Sequence, residues 1–132
     1  MGAWGTAAFD NDDASDWVYE LEKDGIAAVD AALKDALGPQ ELETPTDVNA
    51  IAAGEVIAAA LGRPVDGLRD DIVGLANGLA PSITPEHAAR ARTAVERVLA
   101  GSEIAELWGE TEDDDEWRGL VEDLIRRLSA DA

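Results

Sequence analysis

The sequence predicts an all-α fold, a compact single-domain bundle of about six helices spanning residues 1–132. Three observations carry that expectation. A chain of this length buries roughly two thirds of its unfolded surface in one core. Hydrophobic residues make up 46% of the sequence and aromatics only 5%, which suits closely packed, alanine-rich helices better than an aromatic-rich sandwich. Between glycine and proline breaks the apolar residues recur three and four apart, the period of a helix face, and no strand-like alternation persists.

The first helix is expected to begin near Asn11 to Asp13 and to run to about Lys23. These side chains accept hydrogen bonds from the unpaired amides of a first turn, and the carboxylates suit the positive end of the helix dipole. Trp17 and Leu21 share a face with Ala14 and Val18, and Gly25 ends the run. The second helix, Ile26 to Leu37, sets Ile26, Val29, Leu33 and Leu37 in phase and stops at Gly38-Pro39. Thr44-Pro45-Thr46-Asp47 opens the third: Thr44 is the expected cap, Pro45 fits the first helical position, and Asp47 stands where a reciprocal capping carboxylate belongs. From Val48 to Leu61 this helix is apolar nearly all round, which marks it as central. A fourth, weaker helix over Leu68 to Leu79 contains Gly74 and Gly78. Thr84-Pro85 repeats the cap-and-proline opening and starts a fifth helix to about Ala100, with Glu86–Arg90 and Arg92–Glu96 spaced to pair across one turn. Ser102 caps a brief turn through Trp108. A last helix, capped by Thr111 with Asp114, holds the clearest amphipathic stripe, Trp117, Leu120, Val121, Leu124, Ile125 and Leu128.

The net charge of −19 is unevenly distributed. Residues 1–62 hold 13 acids and 2 bases, residues 63–101 hold 5 of each, and residues 102–132 hold 11 acids and 3 bases. Acidic ends flanking a neutral middle repel nucleic acid and anionic membrane, and attract cations or a basic protein. Solubility and salt adaptation are the plainer readings of the same charge. Two lysines against eight arginines reflect a GC-rich genome as readily as a salt-adapted one. No run of ~18 apolar residues marks a membrane span and no basic leader precedes an apolar stretch, so a cytoplasmic location is expected. The absence of cysteine excludes disulfides, thiolate nucleophiles and the usual structural zinc sites.

The opening residues concentrate Trp4, Phe9 and Trp17 among the carboxylates Asp10, Asp12, Asp13 and Asp16. Such aromatics fold back onto a core more often than they line a ligand pocket. The carboxylates imitate a calcium loop, but Ser15 and Leu21 occupy the positions that need a glycine and an acid, so helix capping is the better reading and weak divalent binding the alternative. Glu55 is a lone acid inside the apolar third helix. It lies either on a narrow exposed strip, the favoured placement, or buried against an arginine, with a functional acid as the remaining possibility. His87, the single histidine, sits in the first turn of its helix within reach of Glu86 or Arg90, and a structural role is expected of it. Glu110 with Glu112 to Glu116 forms an acidic run before the last helix, read as a solvated face.

Gly2-Ala3-Trp4-Gly5-Thr6, then Phe9-Asp10-Asn11-Asp12-Asp13-Ala14 and Asp16-Trp17, resemble the opening signature of a bacterial family of small proteins, a domain of unknown function. The sequence departs from that pattern at Ala7, where the pattern has a glycine. The resemblance implies kinship and an all-helical fold, and it implies no activity, catalytic residue, metal or cofactor. From charge and composition the leading expectation is a non-enzymatic interaction protein, of accessory or immunity type, that meets a basic protein partner and binds neither nucleic acid nor membrane. The competing expectation is an enzyme, or a binder of small ligands or divalent cations, whose acidic site is built from Asp10, Asp12, Asp13 or Glu55 converging in one pocket.

Overall fold

The computed structural model describes residues 6–129. Seven α-helices follow one another there: α1 Asp12–Asp24, α2 Ile26–Ala36, α3 Thr46–Ala60, α4 Asp70–Leu79, α5 Pro85–Ala100, α6 Glu103–Gly109 and α7 Asp114–Ser129, with a 3-10 turn Ala80–Ser82 after α4. The described residues contain no strand. The helix beyond the expected six is α6, where the sequence indicated only a brief turn. Two side chains hold its first amides: Ser102 Oγ accepts from Ala105 N at 3.1 Å, and Asp47 Oδ2 from Ile104 N at 2.8 Å. Capping from another helix stabilises a segment too short to persist by itself.

The central position of α3 holds. It touches each of the other six α-helices, and every residue from Asp47 to Ala59 except Asn49 is buried. One hydrophobic cluster joins all seven α-helices through α3. Alanine and glycine let the neighbours approach: a Cβ built on Gly54 would lie 3.2 Å from both Leu124 Cδ2 and Val95 Cγ2, so α5 and α7 close over α3 where it has no side chain.

The predicted start of α3 needs correction. The Thr44–Pro45 peptide bond is cis, and the helix begins at Thr46 with no side-chain cap. Thr44 is engaged elsewhere: its backbone N donates to Glu103 Oε1 at 2.8 Å, and its hydroxyl lies 3.4 Å from Asp47 Oδ2. Thr111 does not cap α7 either: the helix begins at Asp114, and the Thr111 hydroxyl donates to Trp108 O at 2.8 Å and accepts from Asp113 N at 3.2 Å, so it braces the turn before the helix. Three other cap readings stand. Asn11 Oδ1 accepts from Ala14 N at 2.8 Å, Thr84 Oγ1 from His87 N at 3.3 Å, and Ser102 caps α6. Gly25, at φ 61, turns the chain between α1 and α2 in a conformation that glycine adopts without a Cβ clash.

The first described residues pack against the bundle, as expected of the amino-terminal segment; residues 1–5 lie outside the described residues. Phe9 is buried, Ala8 packs against the core, and Thr6 to Ala8 line a small cavity together with Val48 and Ile51 of α3 and Trp108 of α6. The turn before Phe9 closes through Asp10 N donating to Ala7 O at 3.0 Å. No non-glycine residue described has a positive φ, so alanine at position 7 serves this turn as well as glycine would.

Candidate functional site

The amino-terminal carboxylates do not gather into a pocket. Asp10 Oδ2 accepts from Ala7 N at 3.3 Å and so braces the turn, Asp12 and Asp13 occupy the first turn of α1, and Asp16 is exposed one turn later. The cap itself is Asn11, leaving the two aspartates to act on the helix dipole. Among the described residues there is no group of three or more histidine, cysteine, aspartate or glutamate side chains placed to hold a metal ion. Phe9 and Trp17 are core residues, at 9% and 3% exposure. Trp4 lies outside the described residues.

Glu55 overturns the favoured exposed placement, because it is 4% exposed. Arg127 of α7 grips it with both terminal nitrogens, Nη1 to Oε1 at 2.9 Å and Nη2 to Oε2 at 3.0 Å. The same guanidinium donates through Nε to Asp123 Oδ2 at 2.7 Å and through Nη1 to the Arg63 carbonyl at 3.1 Å, and Arg63 Nε returns a bond to the Arg127 carbonyl at 2.8 Å. Burial pulls the Arg127 guanidinium down, but the bonds to Glu55 and Asp123 outweigh it and leave it above its ordinary value. Arg127 holds Asp123 below the usual carboxylate range. Glu55 is thus a buried, fully paired acid that ties α7 to α3, far from free for chemistry.

Asp47 was missed as more than a cap. It is 0% exposed; Oδ1 accepts from Val48 N at 2.7 Å while Oδ2 takes the Ile104 amide. Burial pushes its carboxyl up, and the backbone bonds from Ile104 and Val48 offset part of that rise. One carboxylate therefore serves the starts of two helices. The sequence signal was present, an acid in the first turn of an apolar helix, but the second helix it serves lies 57 residues away.

The His87 imidazole hydrogen-bonds to Thr84 and Asp30 and to neither Glu86 nor Arg90. Its Nδ1 accepts from Thr84 N at 3.1 Å, which leaves the proton on Nε2, 3.0 Å from Asp30 Oδ1 on α2. Glu86–Arg90 and Arg92–Glu96 are not among the ion pairs of the described residues. The arginines mostly serve the fold instead. Arg97 donates to the carbonyls of Ala36 and, at 3.0 Å, Gly38 where α2 ends, while Arg69, Arg118 and Arg126 pair with Asp71, Asp114 and Asp123.

Carboxylates dominate what faces outward. A groove of about 760 Å³ runs between the α2–α3 connection and the α5–α6 junction, with Glu41, Glu43, Glu103 and Glu106 on its walls and Arg97 in its lining. Leu107, 43% exposed, stands on the same outer face of α6 as Glu103, one turn before it, and the exposed run Glu110, Glu112, Asp113, Asp115 and Glu116 follows the end of the helix. No helix among the described residues is long and apolar enough to cross a membrane.

Comparison with curated proteins and with solved structures gave no match. A family model described as a domain of unknown function, DUF4259, matches residues 2–119. That span takes in the amino-terminal turn, the central helix and the acidic groove, and the chain belongs to the DUF4259 family.

Proposed function

We propose that this protein is a non-enzymatic interaction module, of accessory or immunity type, that acts in the cytoplasm by binding a basic protein partner through its acidic groove and the outer face of α6. The observation that carries this reading is the division of charge in space. Six of the eight arginines hold the molecule's own carbonyls and carboxylates, at positions 63, 69, 97, 118, 126 and 127, while the groove walls and the α6–α7 turn present carboxylates to solvent. Such a face steers a cationic surface toward it and disfavours anionic ones. Leu107 supplies an apolar contact inside that acidic surround, the pattern of an interface centre with a charged rim.

The competing reading, an acidic catalytic or cation site near the start of the chain, requires Asp10, Asp12, Asp13 or Glu55 to converge. Glu55 is held by Arg127, and the aspartates brace a turn and a helix start. Affinity capture from native host lysate at low salt, washed with rising salt and read by mass spectrometry, tests the proposal. One abundant basic protein released as salt rises, and lost when Glu41, Glu43 and Glu106 are changed together to glutamine, is the expected result. Retention of no basic protein at low salt overturns it.

A further inference from the structure

Three peptide bonds of the described residues place a glycine after an aspartate or asparagine: Asp24–Gly25, Asp66–Gly67 and Asn77–Gly78. Such bonds are chemically labile. The glycine nitrogen attacks the side-chain Cγ of the preceding residue and closes a five-membered succinimide, and glycine has no Cβ to obstruct the ring. In a free chain the asparaginyl bond reacts first, since at neutral pH an amide carbonyl is a better electrophile than a carboxylate. Exposure does not rank the three, because Asp24, Asp66 and Asn77 are all exposed. Backbone geometry does.

Ring closure needs a glycine nitrogen free of hydrogen bonds and a rotation of its peptide toward the preceding side chain. Asn77–Gly78 lies inside α4, whose i→i−4 ladder directs the Gly78 N–H at the Gly74 carbonyl and fixes that rotation. Gly25 N donates to Leu21 O at 2.8 Å while Gly25 O accepts from Ala28 N at 3.0 Å, so rotation there pulls apart the junction of α1 and α2. Asp66–Gly67 differs on each count. It lies in the connection between α3 and α4, where Gly67 N donates no hydrogen bond among the described residues and the Asp66 carboxylate enters no hydrogen bond or ion pair among them. Gly67 stands at φ 81 with no atom within 4 Å of where a Cβ would be. A single bond, Leu68 N to Val65 O at 3.2 Å, closes the turn around it. We infer that Asp66–Gly67 is the bond at which this chain isomerises spontaneously, and that the fold protects the other two. Gly67 N bonds to Asp66 Cγ and gives up its proton as the carboxyl hydroxyl departs, so one water leaves. A second water then adds at either ring carbonyl, and opening at the Asp66 α-carbonyl leaves the chain running through the side-chain carbons. The product is an isoaspartyl linkage with one more methylene in the backbone and the same mass and number of carboxylates. No co-reactant besides water is required, and the step is independent of the interaction reading above.

The test incubates the folded full chain in heavy-oxygen water and maps its peptides by mass spectrometry, since each turn through the ring leaves one heavy oxygen behind. Label should enter position 66 at least about tenfold faster than Asp24, the scale of one hydrogen bond lost on the way to the ring. Part of the labelled peptide should resist the protease that cleaves before aspartate, because the isoaspartyl linkage is no longer an ordinary peptide bond. Asp66→Asn sharpens the comparison. The chain then holds two asparaginyl–glycine bonds, each followed by leucine, in two backbone settings. Ammonia loss at position 66 should outpace that at Asn77 by at least about tenfold in the folded variant. The two rates should converge in urea, and circular dichroism confirms that the variant is folded beforehand. Equal rates at the two positions of the folded variant, or faster loss at Asn77, overturn the inference. Label entering Asp24 of the wild type as fast as position 66 overturns it as well.

Discussion

At the scale of single residues, the two buried acids of α3 make different demands. Glu55 and Arg127 have side chains 6% and 14% exposed, so each depends on the other for its charge. Arg127→Ala leaves Glu55 buried without its cation and should destabilise the protein by about 3–5 kcal/mol in urea melts. The apolar double variant E55L/R127M should cost much less than the two single changes combined, because the pair offsets mainly its own desolvation. Asp47 has no cation, only amides and a hydroxyl. Asp47→Asn loses one acceptor and turns its carboxamide N–H donors toward a backbone N–H, a cost of about 1–3 kcal/mol at neutral pH. Burial raises the Asp47 carboxyl above its ordinary 3.8, so its contribution is complete below that value and is lost as pH climbs through the raised one. The stability gap between wild type and Asp47→Asn should therefore widen as pH falls from 7 toward about 4 in paired urea melts. Asp123 runs the other way, since Arg127 lowers its carboxyl and its stabilisation is lost as pH falls through that lowered value. Being common to both proteins, it cancels from the difference. A gap that narrows would show that Asp47 does not sit buried as described.

At the scale of elements, α3 works because it is narrow as well as apolar. Gly54→Val adds branched carbon to a point where a single Cβ already lies 3.2 Å from Leu124 and Val95, in the middle of the helix crossing. A destabilisation of about 2 kcal/mol or more is expected, read as a lowered thermal midpoint, even though glycine is the poorer helix former. A stabilised variant would mean that α5 and α7 part freely at this point. Much of the element pattern was legible in the sequence because it is local. Asn11, Thr84 and Ser102 cap helices within three residues of themselves, and Gly25 breaks the chain where it stands. Most of the errors fell where the deciding partner is remote. Thr44 fails as a cap because Glu103 takes its amide, α6 is a helix because Asp47 and Ser102 hold its start, and Glu55 is buried because Arg127 reaches it across 72 residues. An acid inside an apolar helix signals that a partner is needed, but eight arginines offer no spacing rule that selects one. The candidate site was less legible still. The groove joins residues 39–43 to Arg97, Ala100–Glu103 and Glu106, and only folding brings these together.

At the scale of the whole molecule, the charge of −19 acts in two ways that salt separates. Repulsion among outward carboxylates works against the compact state, and screening relieves it. Attraction between those carboxylates and a basic partner works for the complex, and the same screening weakens it, since the Debye length shrinks from about 30 Å at 0.01 M to about 10 Å at 0.1 M. Fold stability and partner retention should thus move in opposite directions along one salt series. The buried pairs respond little, because Glu55–Arg127 is shielded from ions that act on Glu41, Glu106 or the α6–α7 turn. We expect a helical circular dichroism spectrum already at about 10 mM salt, and a thermal midpoint a few degrees higher at about 0.15 M. Over the same range the captured basic protein should be released. If the chain is unfolded at low salt and folds only as salt accumulates, the acidity is an adaptation to brine, and the groove loses its claim to a partner. If it is folded throughout and retention is indifferent to salt, the contact is apolar and centred on Leu107, and changing that leucine to serine would then release what the glutamine substitutions leave bound.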